Sequence, residues 1–345
     1  MIPNPATFPV QTSRLVLRMM LETDAETQAA YRSDPQIALY QDWEIPYSPD
    51  RARAHLAGQS GRSTFAPDEW TTLAVERDGQ VIGDVVAHLD ATASVAELGY
   101  TLAANYHGCG YAAEAAAALV DTIFESTTVH RIEASLDPRN VASMRVLERT
   151  GFVMESMAKS AYLWRGEWVD DLRYSILRSD RIAWRQRPLA APDDVQLVSL
   201  NVANVYEFDR LETHFSQRNF VSPMSSSFRD ALFPKLVDGR PLQPLLFGFV
   251  ADGQPVGFAM LADVTDVHPE PFLWRLLIDR YNQRRGIGQR GVALIVNEMR
   301  NRGHGSLVTS YVPGLGTPEP FYRSLGFVPT GEINTDNEIV ARLAL

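Results

Sequence analysis

Three landmarks occur twice along this chain, in the same order and at offsets of 174 to 178 residues. A duplication, or a fusion of two related domains, explains such an order better than chance, so the fold must accommodate two similar units. Asp-Gly stands between β-rich apolar runs in both copies of the first landmark, which predicts a tight hairpin because the turn requires positive φ. The paired landmarks are Asp78–Gly83 with Asp252–Gly257, Gly108–Gly110 with Gly286–Gly288, and Gly151–Phe152 with Gly326–Phe327.

The length of 345 residues also favours two domains over one. We place the domains at 8–180 and 192–345, joined by a linker at 181–191. The linker lies in the stretch RIAWRQRPLAAPDD, whose prolines, Ala-Ala pair and terminal Asp pair are typical of an interdomain segment. A further stretch, Asn219–Pro244, holds four prolines and a serine run. It predicts a long loop with a short helix, of the kind that often has a function.

Composition excludes several classes of partner. Lys and Arg number 32 against 42 Asp and Glu, a net charge of −10, so the basic stripe of a nucleic-acid binder is not expected. The same charge favours a cationic substrate over an anionic one, although it also serves solubility alone. The single cysteine, Cys109, rules out an intrachain disulfide, and neither a structural zinc nor any other metal is predicted.

The expected location is the cytoplasm. The first ten residues carry no Lys or Arg ahead of an apolar stretch, unlike a signal peptide. No uncharged apolar run approaches the ~18–20 residues that a membrane span needs. A membrane is therefore not an expected partner.

Two glycine-rich loops stand where a strand passes into a helix. SVAELGYTL is followed by NYHGCGYAAEAAAALVDTIF, and FLWRLLIDR is followed by YNQRRGIGQRGVALIVNEMRNRG. Glycine lets the backbone approach a ligand, and the first turn of a helix offers unpaired N–H groups at the positive end of its dipole. Each loop is thus an anion site that suits a pyrophosphate. Arg284 and Arg285 add positive charge beside the second loop.

Two alternatives compete with this interpretation. GCGYAA and GIGQRG match the dinucleotide fingerprint G-x-G-x-x-G/A, but a hairpin precedes each loop where the first strand of a βαβ unit should stand. The fingerprint also requires a carboxylate after the next strand to hold a ribose. Asp137 could serve in the first domain, and the second domain has none before Glu319. The other alternative is that the glycines only make tight turns, which two loops in matching places disfavour.

The second loop resembles the acetyl-CoA signature Q/R-x-x-G-x-G/A of the GCN5-related N-acetyltransferases (GNAT), which Gln283–Gly288 matches in full. The first loop lacks the leading Gln or Arg. Its domain is instead similar to the ribosomal-protein N-terminal acetyltransferase branch, through GYAAEA, NVASMRVLERTGF and GEWVDDLRY. The second domain is similar to the diamine and spermidine acetyltransferase branch, through WRLLID, FYRSLGF and TGE. Together the two resemblances cover nearly the whole chain except the linker.

The resemblance implies an α/β (α+β) fold of two tandem GNAT domains. Each would be a mixed, mostly antiparallel sheet flanked by helices, in the order β-α-α-β-β-β-α-β-α-β-β. The sheet would splay like a V between its fourth and fifth strands, where the pantetheine arm of acetyl-CoA inserts. The implied cofactor is acetyl-CoA, held by Gln283, Arg284, Arg285, Gly286, Ile287, Gly288 and Gln289 in the second domain and by His107, Gly108, Cys109, Gly110, Tyr111, Ala112 and Asn140 in the first.

In the second domain the resemblance implies that Tyr322, four residues before Gly326, protonates the leaving thiolate. Its alternative is a core aromatic residue, whose hydroxyl would still need a partner. Asp279 could act as a base through water, or simply start the loop. Glu332 and Glu338, near the closing strands, could hold or deprotonate a cationic amine, or be solvated acids.

In the first domain Leu147 stands in the place of that tyrosine. The ribosomal branch implies that Ser143 takes the acid role, although a serine in a first helical turn is equally ordinary. Asn140 is a good N-cap residue for the same helix. Glu97, on the strand before the loop, is the best candidate for a base, and Cys109 is interpreted as a filler rather than a nucleophile.

We therefore expect an acyltransferase that moves an acetyl group from acetyl-CoA to a primary amine by direct attack in a ternary complex. The second domain is expected to be catalytic because it keeps the fuller signature and the tyrosine. The expected acceptor is a small cationic molecule, such as a polyamine or an amine-bearing antibiotic. Two alternatives stay open: a protein N-terminus or lysine as the acceptor, and a non-catalytic acyl-CoA-binding or sensing protein. The chain is expected to be a monomer or a homodimer.

Overall fold

The computed structural model describes residues 6–345. The described chain divides into two compact units, one ending at Gln186 and the other beginning at Arg187. Residues 1–5, part of the stretch predicted to differ from a signal peptide, lie outside the described residues. Across residues 6–345, no helix has both the length and the apolar character that crossing a bilayer requires.

The first unit is built on one eight-stranded sheet with helices packed against it. Its elements in chain order are β1 (Val10–Gln11), β2 (Val16–Met19), α1 (Ala25–Arg32), α2 (Pro49–Ala57), β3 (Glu69–Arg77), β4 (Gln80–Leu89), β5 (Val95–Leu102), α3 (Tyr111–Ser126), β6 (Arg131–Leu136), α4 (Val141–Thr150), β7 (Val153–Trp164), β8 (Glu167–Leu177) and α5 (Arg178–Gln186). The strand order is β1-β2-β3-β4-β5-β6-β8-β7, and all neighbours are antiparallel except β5 and β6. The predicted apolar stripe of α3 packs on β4 and β5, with Leu119, Val120 and Ile123 fully buried.

Helix α5 closes the first unit, and the segment predicted as a linker begins inside it. Arg181 is buried and donates from Nε and Nη2 to the carboxylate of Asp121 on α3, at 2.7 and 2.8 Å. Trp184 packs over Gly151, the residue that ends α4 with φ of +102°. Both contacts tie α5 to the first unit, which therefore reaches Gln186.

A buried ionic network anchors α1 to the sheet. Asp84 on β4 accepts hydrogen bonds from Arg32 Nη2 at 3.0 and 3.1 Å and from the hydroxyl of Tyr31. All three side chains are buried, Asp84 almost completely at 1% exposure. The Arg32 guanidinium also stacks on the ring of Trp43, 4.5 Å from its centroid. A guanidinium removed from water in this way depends on its carboxylate partner.

The second unit has a seven-stranded sheet and a separate small hairpin. Its elements in chain order are β9 (Val195–Ser199), α6 (Met224–Leu232), β10 (Leu236–Val237), β11 (Arg240–Pro241), β12 (Pro244–Ala251), β13 (Gln254–Ala262), β14 (Phe272–Ile278), α7 (Ile287–Asn301), β15 (Ser306–Tyr311), α8 (Glu319–Ser324), β16 (Val328–Ile333) and β17 (Ile339–Ala344). The sheet order is β16-β17-β15-β14-β13-β12-β9, and only β14 and β15 run parallel. The predicted loop and short helix between 219 and 244 contain α6 and the hairpin of β10 and β11.

The two predicted Asp-Gly hairpins are present. Asp78 and Gly79 join β3 to β4 with φ of +50° and +77°, and Asp252 and Gly253 join β12 to β13 with φ of +51° and +76°. Positive φ at both central residues matches the right-handed twist of the flanking strands. The first landmark of the repeat therefore marks the same hairpin in both units.

In both sheets the two parallel strands stay together only at one end. β14 and β15 pair over two residues, the second being Leu273 opposite Thr309, although β14 continues to Ile278. β5 and β6 pair over three residues, the last being Glu97 opposite Glu133. Each sheet is therefore split beside the strand that leads into a glycine-rich loop. The predicted fold class and the V-shaped splay are confirmed.

The element order also follows the expected one, with four differences. The opening strand of the first unit is broken into β1 and β2, and α5 is appended to its end. The second unit inserts the hairpin of β10 and β11, and it has short 3₁₀ turns where the first helix of the predicted pair was expected.

Removing the carboxylate of Asp84 should destabilise the first unit strongly. Asp84→Ala leaves the Arg32 guanidinium buried without its partner, a loss of about 3–5 kcal/mol. Urea unfolding followed by tryptophan fluorescence measures it, since five of the six tryptophans lie in this unit. Asp50→Ala, which removes the exposed partner of Arg53, is the matched control and should unfold like the parent. Equal midpoints for the two variants would contradict the role of the network.

Candidate active site

The loop of the second unit has the backbone geometry of an anion site. Arg284 and Gly286 have φ of +65° and +77°, and α7 begins at the next residue, Ile287. The first-turn N–H groups of a helix have no intrahelical partners, and they lie at the positive end of its dipole. A Cβ added at Gly286 would meet nothing within 4 Å. The loop can therefore accept a diphosphate against its backbone.

The loop of the first unit repeats this conformation. Gly108 and Gly110 have φ of +75° and +82°, and α3 begins at Tyr111. The equivalent turn lies 176 residues later, so Gly110 corresponds to Gly286 and Ala112 to Gly288. The pairing of Gly108–Gly110 with Gly286–Gly288 in the sequence was therefore wrong by two residues. The cause is that Arg284 adopts the positive φ that glycine adopts in the first loop.

This register places His107 where the second unit has Gln283. The Nε2 of His107 lies 2.8 Å from the carbonyl oxygen of Leu102, and the Nε2 of Gln283 donates to the carbonyl oxygen of Ile278 at 3.0 Å. Each contact spans five residues and joins the loop to the end of the strand before it. The first loop does lack a leading Gln or Arg, but the imidazole of His107 makes the same bond.

The predicted cofactor residues divide by where their side chains point. Arg285 is buried, and its guanidinium is used within the unit, donating to the carbonyl oxygen of Ala190 at 2.8 Å, to Asn282 Oδ1 at 2.6 Å and to Asp252 Oδ2 at 3.4 Å. Its charge therefore holds the loop in place, and only its backbone can face a ligand. In contrast to Arg285, four predicted cofactor residues have exposed side chains, namely Arg284, Gln289, His107 and Cys109.

Two arginines that the sequence analysis missed flank the first loop. Arg14 Nη1 donates to the carbonyl oxygen of Cys109 at 3.0 Å, and Arg14 forms an ion pair with Glu114 in the first turn of α3 at 2.7 Å. The guanidiniums of Arg14 and Arg77 lie 4.5 and 4.9 Å from the ring centroid of Tyr111. Arg14 is 95 residues from Cys109 in the chain, so no local pattern signals this contact.

Tyr322 lies at the split of the second sheet. Its hydroxyl hydrogen-bonds with Thr309, whose Oγ1 donates to the carbonyl oxygen of Leu273 at 3.0 Å, the last residue at which β14 and β15 pair. The ring stacks on Tyr311 at 5.9 Å. Burial raises the pKa of Tyr322 to about 12, so its hydroxyl keeps its proton at neutral pH. The residue is at once a core aromatic and a protonated group at the split.

Asp279 caps the turn after β14. Its Oδ1 accepts from the backbone N–H of Tyr281 at 3.0 Å, and its Oδ2 accepts from the backbone N–H of Glu212 at 3.2 Å. A carboxylate held by two peptide groups fixes the start of the loop. These contacts favour the structural alternative for Asp279, while its action as a base through water stays a prediction.

A cleft of about 520 Å³ opens beside the split of the second unit. Glu338 lines it, and its Oε2 accepts from the hydroxyl of Ser310 and from Asn334 Nδ2, the latter at 3.1 Å. The charge of Glu338 also contributes to the raised pKa of Tyr322, which places the carboxylate within electrostatic range of that hydroxyl. Glu332 is exposed on β16, outside the lining of the cleft. The structure therefore separates the two predicted substrate acids.

The split of the first unit has a different acid arrangement. Asn140 caps α4, its Oδ1 accepting from the backbone N–H of Ser143 at 3.1 Å. The Oγ of Ser143 lies 2.8 Å from the hydroxyl of Tyr100, and burial raises the pKa of that tyrosine. Leu147 is buried without a hydroxyl. The acid role of Ser143 stays a prediction, and the sequence analysis did not name Tyr100, whose partner lies 43 residues away on another element.

Glu97 stands at the last pair of β5 and β6, opposite Glu133. Part of its side chain is exposed, yet the surrounding protein removes water from the carboxyl and raises its pKa. The neighbouring charges of Glu133 and Asp171 raise it further, and those of His88 and Arg173 oppose the shift. A raised pKa and a position beside the split are consistent with the base role predicted for Glu97, which stays a prediction.

A sheet split between its parallel strands, next to a helix N-terminus that can hold a diphosphate, defines the fold of an acyl-CoA-dependent acyltransferase. Residues 14–153 match a family model described as acetyltransferase (GNAT) domain, and residues 208–327 match a second model described as acetyltransferase (GNAT) family. Together the two matches cover most of the chain. The protein belongs to the GNAT family of N-acetyltransferases and carries two GNAT domains in tandem. Members of this family use acetyl-CoA.

Two relatives and one solved structure each match about half of the chain. The N-acetyltransferase p20 of Bacillus licheniformis is 29% identical over 170 residues, which are 49% of this chain and 96% of that protein. The ribosomal protein uS5-alanine N-acetyltransferase of Escherichia coli (strain K12) is 26% identical over 187 residues, 49% of this chain and 90% of that protein. A solved GNAT-family acetyltransferase from Bacillus anthracis is 26% identical with a TM-score of 0.45, covering 50% of this chain and 99% of its own.

Glu97→Gln should change the pH dependence of unfolding. Because the folded-state pKa of Glu97 is raised, its contribution to stability is present below the unfolded pKa of about 4.3 and is lost as the pH rises through the folded pKa. The variant should therefore gain stability relative to the parent between pH 4 and pH 7. Urea unfolding at several pH values measures this gain. Glu44→Gln, at an exposed position of the same unit, is the control. If the stability difference from the parent is equally independent of pH for both variants, the raised pKa assigned to Glu97 is contradicted.

Proposed function

We propose that the second unit transfers an acetyl group from acetyl-CoA to the primary amine of a small acceptor. The observation that carries this proposal is the position of Tyr322. Its protonated hydroxyl lies at the split of the second sheet. β14 leads from the split into the loop at Gly286, and the cleft that Glu338 lines opens beside the split. One acid thus stands where a cofactor arm and an acceptor would meet.

The residues of the loop fit the proposed cofactor. The open space over Gly286 and the free first-turn N–H groups of α7 suit a diphosphate, and the exposed Arg284 adds positive charge. Gln283 stiffens the loop by its bond to Ile278, and Arg285 stiffens it from inside the unit. When bound, acetyl-CoA supplies the thioester whose acetyl group is transferred. The edge of β14 beyond Leu273, which β15 does not cover, can bind an extended arm through peptide groups.

Solvent and Tyr322 then divide the proton transfers between them, with solvent taking the proton of the ammonium. The reacting ammonium, with an ordinary pKa of roughly 10, must lose a proton before its nitrogen can attack. Glu338 holds the ammonium in the cleft by its charge. Tyr322, with a pKa of about 12, is protonated and gives its proton to the leaving thiolate, after which solvent restores it. The cleft volume of about 520 Å³ suits a small molecule.

The acceptor class predicted from the sequence, polyamines and amine-bearing antibiotics, is cationic at the reacting nitrogen. Such an acceptor offers the ammonium that the charge of Glu338 would hold. Within residues 6–345, Glu338 is in no ion pair, and its hydrogen-bond partners Ser310 and Asn334 are neutral. Its negative charge is thus available to an ammonium ion. This is the feature that supports a cationic group at the reacting end.

A second candidate function concerns the first unit, which we propose as an acetylation site for the α-amine of a polypeptide. The raised pKa of Glu97 beside the split supports proton transfer there. The activity for which the Escherichia coli relative is named, acetylation of an alanine of ribosomal protein uS5, supports the choice of acceptor. A peptide that begins with alanine, offered beside small amines, distinguishes the two sites when each loop is disabled in turn.

Gly286→Val should weaken acetyl-CoA binding at the loop of the second unit. A β-branched residue is strongly disfavoured at φ of +77°, and its side chain would occupy the space proposed for the diphosphate. We expect at least a tenfold loss of affinity at that site, about 1.4 kcal/mol. Isothermal titration of the full chain with acetyl-CoA measures the number and affinity of sites.

Gly288→Ala is the matched control for this experiment. Its added methyl group would lie 3.4 Å from Phe321, an ordinary contact, and Ala112 already fills the equivalent place in the first unit. Its affinity should stay within about threefold of the parent. Unchanged binding by Gly286→Val, or a preference of the parent for a nicotinamide nucleotide, would contradict the cofactor assignment. Tight binding without thiol release for any amine would favour a sensing protein.

Glu338→Gln should raise the KM for the amine. The change keeps the shape of the side chain and removes the charge that faces the ammonium, an interaction of about 1.5–3 kcal/mol, or roughly tenfold to a hundredfold. Thiol release from acetyl-CoA with a panel of spermidine, aminoglycosides and simple amines measures it. Glu332→Gln removes the other predicted substrate acid and should leave KM unchanged. If the two variants behave alike, Glu338 does not bind the acceptor.

A further inference from the structure

The lining of the cleft in the second unit includes side chains of opposite charge. Glu338 precedes β17, and Arg275 lies on β14 two residues beyond the last pair with β15. Burial lowers the pKa of Arg275, and the charge of Glu338 is among those that oppose this shift, so the two groups are within electrostatic range of each other. Both face the same volume of about 520 Å³. An acceptor that reaches Glu338 therefore also meets the field of Arg275.

Arg275 is incompletely neutralised. Its Nη2 donates to Asp230 Oδ2 at 3.2 Å, but Asp230 Oδ1 also accepts from Arg229 at 2.9 and 3.1 Å. One carboxylate thus serves two guanidiniums. The Nη1 of Arg275 donates to the carbonyl oxygen of Trp274 at 3.0 Å, and its Nε is buried with no hydrogen-bond partner in the described chain. A planar guanidinium with charge and donors to spare is the side chain that best matches a carboxylate.

The remaining charges of the lining reinforce this polarity. Lys235 and Asp336 neutralise each other at 2.5 Å. Arg218 also lines the cleft, and within residues 6–345 it is in no ion pair, with its guanidinium stacked on Phe215 at 5.2 Å. Arg275 and Arg218 thus leave positive charge in excess on the lining, and Glu338 adds a negative charge that is in no ion pair of the described residues.

We propose that the acceptor of the second unit is a zwitterionic amine of the α-amino acid class, its ammonium facing Glu338 and its carboxylate bound by Arg275. This inference rests on the proposed acetyl transfer, because the amine that Glu338 holds is the one that reacts. A polyamine is positive along its whole length and would bring one charged end toward Arg275. A simple anion would be repelled by Glu338. A small molecule with both charges on neighbouring carbons offers an opposite charge to each of the two side chains.

The reaction with such an acceptor balances without any further reactant. The ammonium loses one proton to solvent and attacks the acetyl carbon, forming the C–N bond of the amide as the C–S bond of the thioester breaks. The nitrogen gives up a second proton, and the departing sulfur takes one from Tyr322. The products are the N-acetylated acid and the free thiol, with one proton released overall.

The experiment compares acceptors that differ only in the acidic group. The full chain is supplied with acetyl-CoA and with L-α-amino acids, each tested beside its own carboxamide, and spermidine is included. We expect thiol release for a subset of the amino acids, with kcat/KM at least tenfold above that of the matching carboxamide. Arg275→Gln should lower kcat/KM for the amino acid at least tenfold, mainly through KM, and leave the carboxamide unchanged.

Two further variants separate recognition from folding. Arg240→Gln removes an exposed guanidinium paired to Asp266 and should behave like the parent. Arg275→Lys keeps the charge and should recover part of the preference for the acid. Acetyl-CoA affinity, measured by titration, should be unchanged in every variant. If Arg275→Gln fails to fold, the comparison of acids with carboxamides in the parent protein still decides whether the acceptor's carboxylate is recognised.

The outcomes distinguish this inference from the function on which it rests. Thiol release with spermidine above any amino acid, or equal kcat/KM for acids and carboxamides, would overturn the zwitterionic acceptor and leave the acetyl transfer standing. Equal loss for acid and carboxamide in Arg275→Gln would overturn the role of the guanidinium. The absence of thiol release with every amine would contradict the proposed function itself.

Discussion

The parting of two parallel strands is the constraint on which the second unit depends. β14 and β15 separate after Leu273, and the rest of β14, to Ile278, loses its neighbour on that side. Peptide groups left without a strand partner must find water or a ligand. At the point of separation, Thr309 on β15 contacts both Tyr322 and the carbonyl oxygen of Leu273 on β14. β14 then leads directly into the loop at Gly286. One strand therefore fixes the positions of the uncovered strand edge, of Tyr322 and of the loop at Gly286 together.

The fold class, the hairpins and the loops could be predicted because their signals are local. Asp-Gly requires a turn of one kind, and the apolar stripe of α3 requires a sheet to cover it. The register between the two loops could not be predicted in the same way, because positive φ rather than glycine is what repeats. Arg284 adopts that conformation at a place where the first loop has Gly108, and the bond made by Gln283 is made by His107. Aligning the two loops by identical residues therefore gave a register that differs from the alignment of their backbone conformations.

The site residues that sequence reasoning missed share one property, which is that their partners are distant in the chain. Arg14 reaches Cys109, 95 residues away in the chain, and Tyr100 on β5 reaches Ser143 on α4. Such contacts leave no periodicity or spacing in the sequence. Arg285 shows the reverse error, since a positive charge beside an anion loop suggests a ligand contact. In the structure its guanidinium is buried and bonded to the unit itself.

The net charge of −10 suggested a cationic acceptor, but charge summed over a chain is a weak guide to a cleft. Solvent ions screen exposed charges beyond about 8–10 Å, so distant acids contribute little inside the site. The groups that line the cleft act at short range and in a partly desolvated setting, where each charge counts for more. Glu338 and Arg275 are of opposite sign and share that setting. An acceptor is therefore chosen by how its own charges are spaced, which a count of acidic and basic residues cannot express.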